Sequence, residues 1–560
     1  MAGTHQITDN GAVRNIAIVG CGPRGMYALD SLCHLARETS AECRFDITVY
    51  EPAEHPGAGA IYNHDQPDYL RMNFASRHID AWNRRWGMDS PQYPSFLTWM
   101  QQQYAGQPDP DGFVSRKRVG HYLSDCFARI GHACPANVHI RLQRESVEHI
   151  DHQQQGWQVR TALETRRFEQ VLVTTGHQDW QRRTPDLQPD LQDDSQRCFI
   201  RSIFPVEKKL GTTHVPPGHV AGIKGFALTF IDASLALTLG RDGRFIETVD
   251  GYAYRASGKE PARLVPLSRT GRPLLCKPDH GKFVGPSVET IWRDASAALN
   301  ELPKQSGAIC FENQIWPVIL RAAESAANLE EGVAERWFDQ WCNRNFDGKR
   351  ALQAMRKSFQ VATGRQSPDL VWAMGEAWRK IYPALVACVS HGGLNAQSQR
   401  RFTAIAREME RISFGPPAMN MGYMLALADA GILDLSRCNH FADKNASQWP
   451  DDIDVAIDAT IPAPKVFDPQ GPIGGLEKAG FLNFGCNGEI IINSKGHALI
   501  EGKVVPGLSV IGRATEGCVL GNDTLSRTLH NHIHRWAESI VGSPPLHASL
   551  DYARELEMNT

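Results

Sequence analysis

Between residues 15 and 37 the chain leaves little choice of fold. Asn15-Ile-Ala-Ile-Val19 is a short, apolar, β-branched run that predicts a buried parallel strand. Gly20-Cys-Gly22-Pro23-Arg24-Gly25 follows at once. Met26, Ala28, Leu29, Leu32, Leu35 and Ala36 then recur at helical spacing. Glycines in the GxGxxG pattern, set between a strand and a helix, have a physical reading at each position. Gly20 permits the tight turn, Gly22 lets the backbone approach a pyrophosphate, and Gly25 lets the helix close on the strand. The helix N-terminus offers the positive end of its dipole to those phosphates. A second strand, Phe45 to Tyr50, ends at Glu51, where a carboxylate would receive the ribose hydroxyls. Together these features predict a dinucleotide site; the competing reading is a glycine turn in an unrelated α/β protein.

The pattern recurs in weaker form. Val220-Ala-Gly-Ile-Lys224 predicts a strand, Gly225-Phe-Ala227-Leu-Thr229 a turn, and residues 230–239 a helix with Asp232 in its first turns. Ala227 replaces the second glycine. Placed after a complete first unit, this degenerate fingerprint reads as a nicotinamide-nucleotide domain. Residues 264–268 end a strand at Arg269, a candidate for an NADP 2′-phosphate because a guanidinium fork pairs well with phosphate oxygens. A solvated surface arginine is the rival reading.

Other segments complete the outline. Val171-Leu-Val-Thr-Thr175-Gly176 is a buried strand ending in a small-residue turn, and the Gln- and Arg-rich residues 179–197 read as a linker. His152-Gln-Gln-Gln155 reads as a polar turn. Residues 286–435 carry helical spacing, clearest at 369–381 and 398–412, broken by Gly415-Pro-Pro417 and resumed at 421–430. Trp292, Trp337, Trp341, Trp372 and Trp378 fall in amphipathic stretches and read mostly as core. Residues 454–460 predict a strand returning to the second nucleotide unit, and 507–513 a final buried strand through Gly512. A helix is expected over 525–541, with Asn522, Asp523 and Thr524 as its natural N-cap residues. His530, His532 and His534 fall on that helix. His530 and His534 would share a face, but no third ligand is evident, so they read as structural or solvated rather than as metal ligands.

Composition excludes other classes. The 560 residues carry a net charge of −3, which argues against a general nucleic-acid binder. No apolar run approaches the ~20 residues of a membrane span, and residues 1–14 show no secretory apolar region. Thirteen cysteines, without a CxxC pair, fit reduced thiols in a cytoplasmic protein.

At this point the motifs resemble a family. Residues 16–25 with Pro23-Arg24, Gly57-Ala-Gly59-Ala-Ile-Tyr62, and Gln66-Pro67 to Asn73 are similar to the FAD/NAD(P)-binding flavoproteins whose first motif reads GxGPRG. The likeness extends through residues 225–232, Gly240-Arg241 to Phe245, Ser268-Arg269, Gly415-Pro-Pro417, Asp458 to Pro462 and Thr515-Glu516-Gly517. It covers about residues 14–541. These proteins are similar to N-hydroxylating, class-B-like flavin monooxygenases, among them aspartate N-hydroxylases that make nitrosuccinate and flavoenzymes that oxidise hydroxylamine.

The resemblance implies an α/β fold with two Rossmann-like domains, for FAD and for NADPH or NADH, and a mainly helical additional domain. Residues 1–205 would open the FAD domain and 206–285 the NAD(P)H domain. Residues 286–450 would form the helical cap, 451–475 return to the NAD(P)H domain, and 476–560 complete the FAD domain. The cofactor-binding residues expected are Gly20, Gly22, Pro23, Arg24, Gly25, Glu51, Gln66, Met72, Asn73, Thr175, Gly225, Thr229, Arg269, Gly512, Asp523 and Thr524, with Met72 and Asn73 beside the flavin ring. The expected activity is oxidation of the nitrogen of a small amine or hydroxylamine by dioxygen, with the cofactor carrying the chemistry. Its rivals are a flavin oxidase or reductase that inserts no oxygen, a non-catalytic flavin-binding redox sensor, and a dehydrogenase without flavin. No metal, nucleic acid or membrane partner is expected, and a homo-oligomer stays open.

Overall fold

The computed structural model describes residues 13–39, 43–83, 90–153, 156–176, 198–278, 286–303, 307–442, 448–461, 467–522 and 524–542. The chain opens with β1 (Val13–Val19), α1 (Pro23–Ala36) and β2 (Arg44–Tyr50). Next come α2 (Phe96–Gln103), α3 (Arg116–His132) and β3 (Val138–Gln143). A small antiparallel sheet follows, of β4 (His149–Gln153), β5 (Gly156–Arg160) and β6 (Thr165–Phe168), before β7 (Gln170–Val173). The polar turn expected over residues 152–155 is corrected at its first two positions: His152 and Gln153 pair with Trp157 and Gly156 in that sheet, where the His152 ring meets Trp157 edge-on.

The second unit comprises β8 (Cys198–Ile200), α4 (Val206–Lys209), β9 (Val220–Lys224) and α5 (Leu228–Ala236). A hairpin of β10 (Arg244–Thr248) and β11 (Gly251–Arg255) precedes β12 (Arg263–Leu267). The helical region follows, with α6 (Pro286–Asn300), α7 (Trp316–Ala326), α8 (Val333–Cys342), α9 (Gly348–Ala362), α10 (Leu370–Val389), α11 (Ala396–Ser413) and α12 (Ala418–Asp429). The chain closes with β13 (Val455–Asp458), α13 (Pro472–Lys478), β14 (His497–Ile500), β15 (Lys503–Val510) and α14 (His532–Gly542).

Two sheets carry the architecture. The first runs β14-β15-β7-β1-β2-β3, parallel throughout except for the β14–β15 pair. The second runs β12-β9-β13-β8 and is wholly parallel. In the first sheet the strands from the two ends of the chain meet: β15 pairs with β7 in the same sheet as β1. The second sheet likewise takes β13 back after the helical region.

Burial explains the continuous apolar run of β1. Ile16 and Ile18 join the core formed with α1, α3 and α14, whereas Ala17 and Val19 join the opposite core with Trp157 and Leu508. Both faces of the strand are covered, so both sets of alternating side chains must be apolar. In the second unit Ile223 and Phe230 share one core with Trp292, Trp316, Trp341 and Trp378 of the helical region. Among the described residues no helix is long and apolar enough to cross a membrane.

The final helix departs from expectation. It begins at His532 rather than near 525, and Asn522 and Thr524 cap no helix. Asn522 Nδ2 donates instead to Gly512 O (2.7 Å) and to Thr515 Oγ1, folding the segment back on itself. His530 lies ahead of the helix and bonds Gly521 O at 3.0 Å, while His534 faces Glu538 at 3.2 Å, so the two do not form a helical i,i+4 pair. Among the described residues no group of three or more His, Cys, Asp or Glu is placed to hold a metal ion. Asp523, Pro462 and the 179–197 stretch lie outside the described residues.

Candidate functional site

The first glycine turn is dictated by contacts that a side chain would destroy. Gly20 has φ +91°, and a Cβ there would stand 2.9 Å from Thr174 O on the neighbouring strand. At Gly25 a Cβ would meet Gly20 O at 2.2 Å, so only glycine lets α1 lie this close to the turn. Gly22 is the N-cap of α1, without a capping side chain, and Pro23 follows at the first helical position. The first-turn amides of α1 thus have no side-chain acceptor from the N-cap, which suits an anion.

The acid after β2 is buried (7% exposed) and fixed on both oxygens. Cys21 N–H donates to Glu51 Oε2 at 2.7 Å and Ala53 N–H to Oε1 at 2.9 Å. Each carboxylate oxygen keeps a second lone pair for a ligand hydroxyl. The Gly57–Tyr62 loop packs onto the same turn: Gly57 N–H donates to Cys21 O (2.6 Å), and a Cβ on Gly59 would meet Gly22 Cα at 3.1 Å. Gln66 holds that loop through Ile61 O at 2.7 Å. Arg24 Nη2 donates to Asn522 O and Thr524 O, both at 2.8 Å, clamping the C-terminal segment against the start of α1. Thr175 Oγ1 and Asn522 Oδ1 are buried and unpartnered. Uncapped helix amides, a fixed acid and two orphaned buried oxygens fit an FAD nucleotide in this cradle.

The second turn repeats the plan. Gly225 has φ +116° and donates its N–H to Leu267 O at 2.8 Å, and α5 begins at Leu228, two residues ahead of expectation. Thr229 therefore lies in the first turn of α5. Ala227 is an extended N-cap, again without a side-chain cap. Asp232 is not turned to a ligand. It is buried and paired with Arg116 of α3 (Nη1–Oδ2 2.7 Å, Nη2–Oδ1 3.2 Å), bracing one unit on the other. Burial raises its carboxyl, and the Arg116 guanidinium opposes that rise.

Between the units lies a cleft of about 2680 Å³. A small-ligand pocket measures roughly 300–1,000 Å³, so this one has room for cofactor and substrate together. Met72, Asn73 and Thr524 line it from the first unit, and Gly225, Thr229 and Arg269 from the second. Trp372, Glu376, Arg379 and Tyr382 of α10 and Phe414 close the third side. Trp372 is thus a wall of the cleft rather than core, whereas Trp292, Trp341 and Trp378 are buried. Gly20, Gly22, Gly25, Glu51, Gln66, Thr175 and Gly512 stand in the adjoining cradle rather than among the lining residues. Eleven arginines and lysines line the cleft against six carboxylates, in a chain whose net charge is negative. Such a cleft concentrates anions.

Asn73 joins the three parts of the molecule. Met72 N–H donates to Val114 O (2.9 Å), which fixes the loop; Asn73 Nδ2 reaches Phe414 O (3.5 Å); Asn73 O accepts from Lys277 Nζ (3.0 Å). Sequence reasoning passed over Lys277, Glu376 and Arg379. Lys277 had one signal, a lysine directly behind the apolar run Leu274-Leu-Cys276. Another network holds the wall. Arg272 forks onto Glu408 (Nε–Oε2 and Nη2–Oε1, both 3.0 Å), and Trp341 Nε1 donates to the same carboxylate at 2.9 Å. Those bonds hold the Glu408 carboxyl below its ordinary range against the opposing effect of burial.

Fold and cradle together define an FAD- and NAD(P)-binding α/β protein. Residues 17–178 match the FAD-NAD(P)-binding family model. Over 483 residues the chain is 27% identical to the nitrosuccinic acid synthase of Aspergillus oryzae, covering 75% of this chain and 73% of the relative. It is 25% identical over 504 residues to a nitrosuccinate-forming L-aspartate N-monooxygenase of Streptomyces cremeus, covering 75% and 74%. Among solved structures, the ornithine N-hydroxylase of Kutzneria sp. 744 aligns over 94% of this chain and 99% of its own, with 13% identity and a TM-score of 0.47.

Proposed function

We propose that the protein is a flavin-dependent N-monooxygenase that oxidises the amino group of a small, acidic amino acid at the expense of NADPH or NADH. One observation carries this reading: a single basic cleft brings together the loop of Met72 and Asn73, the second glycine turn and the helical wall, in a chain alike over three quarters of its length to nitrosuccinate-forming enzymes. Bound flavin, once reduced by the nicotinamide, supplies the activation of dioxygen. Each turnover consumes one O₂, one reduced nicotinamide and one proton, and yields water and an N–OH bond in place of an N–H.

The chain's own residues bind and orient. The amides of Gly20, Gly22 and Gly25 with Pro23 and the start of α1 would take the FAD pyrophosphate, and Glu51 a ribose. Gln66, Met72 and Asn73 would border the ring, and Thr175, Gly512 and Thr524 the ribityl side. Arg24 would serve by fixing residues 522 and 524. Gly225 and Thr229 would hold the nicotinamide dinucleotide and Arg269 its 2′-phosphate. Trp372, Tyr382 and Phe414 present aromatic surface to the cleft and would keep water from the reacting nitrogen. The free thiols of the described residues, seven of them buried, suit a reducing compartment such as the cytoplasm.

The test is an absorbance spectrum of the purified, FAD-loaded protein, then NAD(P)H oxidation under air with aspartate, ornithine, lysine and hydroxylamine. The expected outcome is bound flavin and oxidation stimulated by aspartate with an N-oxidised product. A colourless protein after FAD loading, or only unstimulated peroxide release, would overturn the proposal.

A further inference from the structure

Lys277 is held with unusual care for a surface-type residue. Its main-chain N–H donates to Pro416 O at 2.9 Å, and Leu275 N–H donates to Arg411 O at 3.0 Å. A Cβ on Gly415 would stand 1.8 Å from Leu275 O. The Gly415-Pro-Pro417 motif therefore exists to let residues 275–277 lie against the end of α11. The side chain this arrangement presents is 7% exposed and lines the cleft.

An ammonium carries three donors and a full charge. Lys277 Nζ spends one donor on Asn73 O, which is neutral. The charged groups that face it come from α10. They are Arg379, of like sign, and Glu376. Glu376 is already bound to Arg379, whose Nε lies 3.1 Å from Oε1, and both side chains are 10% exposed. That pair is neutral as a unit, so among the described residues Lys277 has no anion of its own. Burial first, and Arg379 second, push its ammonium down to about 7. An unpaired buried charge is costly, and here it opens on a cleft large enough for substrate.

We infer that Lys277 is the anchor for a carboxylate group of the substrate, seated where the Asn73 loop meets the Glu376–Arg379 pair. The inference rests on the N-oxidising reading, because it assigns the acid end of that substrate. It narrows the class to amino acids that carry a carboxylate within reach of the nitrogen to be oxidised. A lysine suits this task as a compact point charge whose two remaining donors can rotate onto either oxygen.

The experiment titrates succinate, which has two carboxylates and no nitrogen to oxidise, into the FAD-loaded wild type, K277M and K277R, followed by calorimetry. Steady-state KM for L-aspartate and anaerobic flavin reduction by NADPH are measured on the same proteins. Methionine is one atom shorter than lysine, keeps an unbranched apolar stem, and removes the charge together with the bond to Asn73 O; K277Q replaces it if melting shows a loss of fold. The expected result is at least a tenfold loss of succinate affinity and a tenfold rise in KM in K277M. Flavin content and the reduction rate should stay within twofold, and K277R should recover part of the binding. Unchanged succinate affinity, or loss of flavin or of its reduction in K277M, would overturn the anchor. Wild type that binds succinate through Lys277 yet oxidises no amine would support the anchor and overturn the N-oxidising reading.

Discussion

The two glycine turns follow one plan with different residues at its third position. Both open with a glycine at positive φ, Gly20 and Gly225, and both hand over to an extended N-cap, Gly22 at φ −72° and Ala227 at φ −126°. Neither cap needs the left-handed region, so alanine is admitted at the second position with only a methyl added toward the ligand. The third position differs. Gly25 has no room for a Cβ, whereas its counterpart Phe230 is a buried ring, 1% exposed. The first helix is held by an absent side chain. The second carries a phenyl group at that position, packed into the core shared with the helical region. A turn can thus be self-contained, or depend on a neighbouring domain, with the same backbone conformation.

The largest expected effect breaks the first turn. Gly25→Ala forces Gly20 and α1 apart and should cost ~3 kcal/mol. FAD content, read from the visible flavin absorbance of the purified protein, should fall below about a tenth of wild type. Retained FAD would show that the close approach is dispensable.

Removing the charge just beyond β12 tests the second turn. Arg269→Ala should raise KM for NADPH about tenfold and leave KM for NADH unchanged, the size of one charge-assisted contact. An equal rise for both nucleotides would remove Arg269 from the 2′-phosphate.

The helical side of the cleft also carries a group that titrates near neutrality. Lys277 is charged below its value of about 7 and neutral above it. Anion binding should be fully present on the acid side and lost as pH rises through that value. kcat/KM for L-aspartate should therefore fall several-fold between about pH 7 and pH 8, and K277R should flatten the profile. A profile that rises over this range would contradict the assignment.

The smallest effect sharpens the comparison. Ala227→Gly removes one methyl from an N-cap that already fits, so KM for NADPH should change by no more than about twofold. A large gain would mean that Ala227 holds the nicotinamide dinucleotide off its turn.

What the sequence made legible follows the same division. β1, β9 and β13 were readable from short apolar runs whose two faces are both buried, and β2 from its alternating buried Phe45, Ile47 and Val49, although Asp46 between them is exposed. β4 and β6 were not, because strands such as His149–Gln153 have largely exposed, polar residues and gain their order by pairing. The start of α14 was misplaced because residues 525–531 carry apolar and cap-like residues that serve the fold otherwise: Leu525 is core, and Arg527 bonds Asp30 and Ala81 O. The cradle could be read from Gly20 to Glu51, since its residues are close in sequence. The meeting of Asn73 with Lys277, 204 positions apart, left no periodic trace.

The most direct measurement is turnover of the FAD-loaded protein with NADPH and L-aspartate under ¹⁸O₂, with mass analysis of the product. The expected product is an N-oxidised aspartate carrying the heavy isotope, formed together with NADPH loss. NADPH loss with peroxide as the sole product, or an oxidised product without the isotope, would contradict it.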